Sequence, residues 1–143
     1  MNAYITGNLL HGITKLCSIS IQNIYETAEY IITGCHPDIS NKLQEIDVVN
    51  KIKIIDAFIT ECESNTKYNT KKSIELSINS IHSLIEQINN ELTLIKEECE
   101  YHKTKYFNYW RNPNCQENLK NVIQFSIILD LRLNLLRDII NMI

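Results

Sequence analysis

The chain of 143 residues carries 14 Lys and Arg against 17 Asp and Glu, a formal net charge of -3, and is 44% hydrophobic. This is one domain's worth of chain with enough apolar material for its own core, and the negative balance argues against nucleic acid as the main partner. Three glycines and two prolines leave too few turn residues for a sandwich, a barrel or a multi-stranded α/β sheet.

The expected fold is therefore all-α, in one domain spanning residues 1–143. The 25 Ile and 17 Asn stand against only 3 Ala, a poor recipe for helices by intrinsic propensity. That usage reads as the codon bias of an AT-rich genome. The first helix is expected from about Ala3 to Ile32, with a buried stripe of Leu9, Ile13, Leu16, Ser20, Ile24, Ala28 and Ile31. Gly34 follows as its C-cap and Pro37 as its stop. The second helix runs from Asp38 to about Cys62. Asp47 is placed to cap a fresh start, which splits off a short segment at 39–46. Beyond it, Val48, Ile52, Ile55, Ile59 and Cys62 keep a helical period, and the loop Ser64–Asn69 follows.

The third helix carries the strongest pattern. Ile74, Ile78, Ile81, Ile85, Ile88, Leu92, Ile95, Cys99, His102, Tyr106 and Tyr109 alternate in steps of four and three, the spacing of knobs-into-holes packing. A continuous helix from Thr70 to Trp110 would be about 60 Å long, roughly 20 Å longer than the second helix. The fourth helix opens at Asn114, with Glu117 three residues on as a capping box. Leu119, Val122, Ser126, Leu129, Leu133, Leu136, Ile140 and Ile143 repeat the same spacing. Ile123, Phe125, Ile127, Ile128, Leu131, Leu135 and Ile139 leave that helix only a narrow polar strip. It reads as the covered centre of the bundle or as part of a subunit interface through residues 119–143. Short loops join the four rods into an up-down-up-down four-helix bundle with one over-long third helix.

The overhang of the third helix is chemically distinct. Tyr101, His102, Lys103, Lys105, Tyr106, Phe107, Tyr109, Trp110 and Arg111 fall within one stretch that contains the single Trp. Aromatic side chains beside Arg are the chemistry of interface hot spots. His102, Lys105, Tyr106, Tyr109, Trp110 and Arg111 are accordingly the expected partner-binding residues. A second constellation, Cys35 and His36 with Cys99 and His102, brings together tetrahedral zinc ligands if the helix ends meet, although no ligand spacing repeats. No metal or other cofactor is expected. Gly7, Gly12 and Gly34 are isolated, so no glycine-rich loop cradles a phosphate, and no Cys or His sits on a turn that would expose a nucleophile beside a base.

The expected function is contact with a protein partner or a larger assembly, not catalysis. Cys17, Cys35, Cys62, Cys99 and Cys115 are odd in number with no CxxC, which fits reduced thiols in a cytoplasmic or other intracellular setting. Met1–Leu10 lacks the basic start of a signal peptide, and no apolar run is long enough to span a membrane. Arg111–Asn112 resembles the first half of the nuclease motif of HEPN domains, which are helical bundles of similar size. That resemblance implies an RNA-processing bundle. Gln116, Glu117 and Asn118 stand where the motif's histidine belongs, so it stops short of the catalytic base.

Overall fold

In a computed structural model, the structure describes residues 8–104 and 114–143. Among the described residues, five helical segments build an all-α bundle of four rods: α1 (His11–Gly34), α2 (Pro37–Ile46) with α3 (Val48–Ser64) as one bent rod, α4 (Lys72–Lys103) and α5 (Gln116–Asn141). Among the described residues there is no strand.

The chain direction alternates from rod to rod, as side-chain bridges between them demonstrate. His11 Nδ1 lies 2.9 Å from Glu63 Oε1 and Ser18 Oγ donates to Asp56 Oδ1 at 3.1 Å, so α1 and α3 run antiparallel. Arg132 Nη1 donates to the Ser80 carbonyl at 2.6 Å, while the Asn118 and Asn121 side-chain amides donate to Glu91 at 2.8 and 3.0 Å. These contacts make α4 and α5 antiparallel. Adjacency departs from chain order. The main neighbours of α4 are α1 and α5, and α1 also packs on α2 and α3. The bent second rod and α4 therefore sit on a diagonal. The turn at residues 65–71 spans about 23 Å when extended, enough to cross a bundle whose neighbouring axes are about 10 Å apart.

The α4 seam is buried from Ile74 to Cys99, His102 is partly exposed, and Tyr106 and Tyr109 lie outside the described residues. Ile74, Ile78, Ile81, Ile85, Ile88, Leu92, Ile95 and Cys99 are all buried, because four-three spacing keeps one seam facing the partners. On α1 the expected stripe is one residue out of register in its first half. The buried line is Leu10, Thr14, Cys17, Ile21, Ile24, Ala28 and Ile31, while Leu9 and Leu16 face solvent. Leu9–Leu10 and Leu16–Cys17 offer two registers of equal spacing, and tertiary packing selects the one that buries Cys17. Helix α1 begins at His11, well after Ala3, and residues 1–7 lie outside the described residues. The backbone before it is committed elsewhere. Leu9 N–H donates to the Asn69 carbonyl at 2.7 Å, and Leu10 N–H donates to the Asn8 side chain at 2.9 Å.

The break at Asp47 falls where the sequence places it, by a different device. Asp47 adopts φ 56° and ψ 33°, the left-handed conformation that Asp tolerates better than most residues, and its side chain makes no capping bond. Its carboxylate instead accepts from Asn50 Nδ2 at 2.8 Å. Gly34 is the last residue of α1, and Cys35 in extended conformation is the cap. Pro37 opens α2 at its first position, where a missing N–H costs nothing. Helix α5 starts at Gln116 with Cys115 as N-cap and no side-chain capping bond. The expected Asn114–Glu117 capping box is absent, because burial of Cys115 sets the helix entry.

Candidate interaction surface

Of the six expected partner-binding residues, His102 belongs to the described structure, while Lys105, Tyr106, Tyr109, Trp110 and Arg111 lie outside the described residues. The described part of α4 closes at Lys103, where Thr104 N–H bonds the Tyr101 carbonyl at 3.1 Å. His102 is half-buried, with Nε2 3.1 Å from Glu98 Oε1 one turn back, and the Tyr101 ring stands edge-on to it at 6.0 Å. The upper end of α4 is covered by α1 and not left bare. Lys96 and Lys103 lie over the Tyr30 ring at 5.1 and 4.6 Å, and Lys103 Nζ donates to the Tyr30 hydroxyl at 3.3 Å. A methyl group at Gly34 would stand 2.9 Å from Lys103 Nζ.

The constellation of Cys35, His36, Cys99 and His102 resolves into three separate arrangements. His36 turns to α2, where Nδ1 accepts from Asp38 N–H at 3.2 Å, and His102 stays with Glu98. Cys35 and Cys99 do meet, and the sulfur that joins them is Cys115. Cys99 hydrogen-bonds to both of the other thiols. The hydrogen bond to Cys115, followed by burial, pushes the Cys99 thiol up. That same bond lowers Cys115. Burial foremost, then the bond to Cys99, pushes Cys35 up to about 12. Among the described residues, no group of three His, Cys, Asp or Glu is arranged to hold a metal ion. The part of Cys115 was not legible, because an Asn114 cap would have turned position 115 into an ordinary first-turn residue.

The most distinctive surface belongs to α5. Leu119, Val122, Ser126, Leu129 and Leu136 are buried against the bundle. On the far side, Ile123, Ile127, Leu131 and Leu135 are 45, 58, 63 and 57% exposed. Thus α5 is neither central nor covered all round, and four branched side chains in steps of four face outward. Other helices expose large apolar residues at scattered positions, Leu16 and Ile19 on α1, Ile54 on α3, and Leu76, Leu94 and Tyr101 on α4. Such scatter is ordinary, whereas a contiguous apolar run marks an interaction site.

Beside the run, Ile123 and Ile127 form one wall of an open groove of about 490 Å³ whose other wall is Lys42, Glu45, Ile46 and Lys51. Lys51 crosses its edge, with Nζ donating to Ser126 Oγ at 2.7 Å and to Asp130 Oδ2 at 3.0 Å. A second groove of about 440 Å³ lies at the α2–α3 bend between Tyr25, Glu29, Leu43, Asp47 and Lys53. Ile32, Val48 and Val49 also line it, and the Lys53 ammonium on its rim lies 5.2 Å from the Tyr25 ring centre.

No known protein family's profile matches this chain, and no solved structure matches it. The chain is similar to "Uncharacterized protein L717" of Acanthamoeba polyphaga mimivirus, at 37% identity over 70 residues, 49% of this chain. It spans about a third of that relative's length, 34%.

Proposed function

We propose that this protein works by binding another protein chain, without catalysis, and that the outward face of α5 is its principal contact surface. The observation that supports this reading is the contiguous run of Ile123, Ile127, Leu131 and Leu135 in solvent. Covering such residues removes apolar surface from water at roughly 25 cal/mol per Å². The groove between α5 and α2 extends the same surface with Ile46. The aromatic and basic residues Tyr106, Tyr109, Trp110 and Arg111 supply further hot-spot chemistry between α4 and α5 in the chain.

A photo-crosslinking residue placed at position 127 or 131, in the full chain and in its native cell, tests the reading. Discrete crosslinked products are expected from both positions and not from position 42 at the groove's far edge. Absence of any product from 127 and 131 would contradict it.

A further inference from the structure

The outward face of α5 has an internal symmetry that names its occupant. This inference rests on the reading of that face as a contact surface. Taken at helical pitch, the residues directly opposite the buried stripe are Lys120, Gln124, Ile127, Leu131, Asn134 and Asp138. They are spaced four, three, four, three, four, a second heptad seam back-to-back with the first. Counted outward from Leu129, the seam is chemically matched in the two directions, like to like near the centre and opposite charges at the ends. Two residues away lie Ile127 and Leu131, five away Gln124 and Asn134, six away the flanking Ile123 and Leu135, and nine away Lys120 and Asp138. Apolar faces apolar, amide faces amide, and cation faces anion.

We propose that the partner of this face is a second copy of the same chain, with the two α5 helices antiparallel about a two-fold axis level with Leu129. A two-fold interface sets each residue against its mirror position. Ile127 of each copy then meets Leu131 of the other, Ile123 meets Leu135, Gln124 meets Asn134, and both ends close with a Lys120–Asp138 pair. The charges select this arrangement. In a parallel pairing, Lys120 would face Lys120 and Asp138 would face Asp138. Within the chain Lys120 and Asp138 are both exposed, and neither has a salt-bridge partner among the described residues.

The size of the patch fits the same conclusion. The four half-exposed branched side chains offer on the order of 400 Å² per copy, a patch size that is functional on many monomers. Two such faces with their polar flanks approach the ~1,000 Å² that a weak specific interface buries. The seam also lies clear of the packed core. Leu129, at its centre in height, is fully buried on the opposite side.

Sedimentation velocity of the full chain at concentrations from about one to some hundreds of micromolar tests the proposal. A monomer–dimer equilibrium is expected, with circular dichroism confirming that each variant keeps its helicity. Leu131→Lys should weaken the dimer by more than about tenfold, because it sets a charge against Ile127 of the other copy. Lys120→Glu should weaken it at low salt by facing Asp138 with a like charge. The double change Lys120→Glu with Asp138→Lys should restore it. A monomer at every concentration would overturn the proposal, as would a dimer indifferent to Leu131→Lys or a double variant no better than the single one. If the protein is monomeric yet position 131 crosslinks to a different protein in the cell, self-pairing fails while the contact reading of the face stands. If it is monomeric with no crosslink, both fail.

Discussion

At the scale of single residues, two glycines and a cysteine carry information that periodicity hides. Gly12 lies in the first turn of α1 with nothing within 4 Å of where a Cβ would stand, and its φ is not positive. Gly12→Ala should therefore raise the unfolding free energy by about 0.5–1 kcal/mol, read as a higher urea midpoint. Gly34→Ala should gain less, because its methyl group must displace the Lys103 ammonium.

Cys17 behaves differently. It is fully buried, and burial, with Asp56 and Glu86 nearby, pushes its thiol up to about 12 from the ordinary 9. Below pH 9 both folded and unfolded chains hold this proton, so stability does not respond to it. Between pH 9 and about 12 the unfolded chain ionises and the folded one does not. The unfolding free energy must then fall as pH rises. Guanidinium midpoints measured from pH 8 to 10.5 should decline, and Cys17→Ala should reduce the slope. An equal slope in the variant would assign the decline to other groups, among them Cys62, which burial raises to about 11.

At the scale of elements, legibility followed how many registers each pattern allowed. The α4 seam from Ile74 to Cys99 has no adjacent apolar competitor for most of its length, and every one of those positions is buried. The α1 stripe had two equally spaced candidates, and choosing between Leu16 and Cys17 requires knowing what α3 and α4 present to them. The bend at Asp47 was legible, while its left-handed geometry was not, because Asp serves both as N-cap and as a left-handed residue. Alternating directions were legible from loop lengths. The diagonal placement of α4 was not, since a seven-residue turn fits either an edge or a diagonal.

Polar bridges hold these elements in register. Glu91 on α4 accepts from both Asn118 and Asn121 on α5 and is half-buried. Glu91→Ala leaves two amides without their charged acceptor and should cost about 2 kcal/mol. Hydrogen exchange should quicken first in the opening turns of α5, where both amides sit. Uniform loss of protection across the whole chain would indicate that this bridge does not act locally.

At the scale of the whole molecule, α5 faces two ways. Its inner seam closes the bundle against α4, and its outer seam remains in water as a chemically matched strip. The sequence already displayed the excess of apolar residues on this helix. Without coordinates, that excess fits a helix wrapped on all sides by its own chain as well as one with a bare face. Of the expected contact residues, His102 pairs with Glu98, and Lys105, Tyr106, Tyr109, Trp110 and Arg111 lie outside the described residues. Within the chain, Ile123, Ile127, Leu131 and Leu135 remain exposed although burial would favour them. That pattern is what a binding surface requires.

The most direct measurement compares two leucines two positions apart, Leu129→Ala and Leu131→Ala, by urea unfolding at sub-micromolar protein. Leu129 is fully buried and Leu131 is 63% exposed. Leu129→Ala should lose about 2–5 kcal/mol, while Leu131→Ala should stay within about 0.5 kcal/mol of the parent. Equal losses at the two positions, or a larger loss at Leu131, would contradict a two-faced α5 and with it the contact surface built on its outer side.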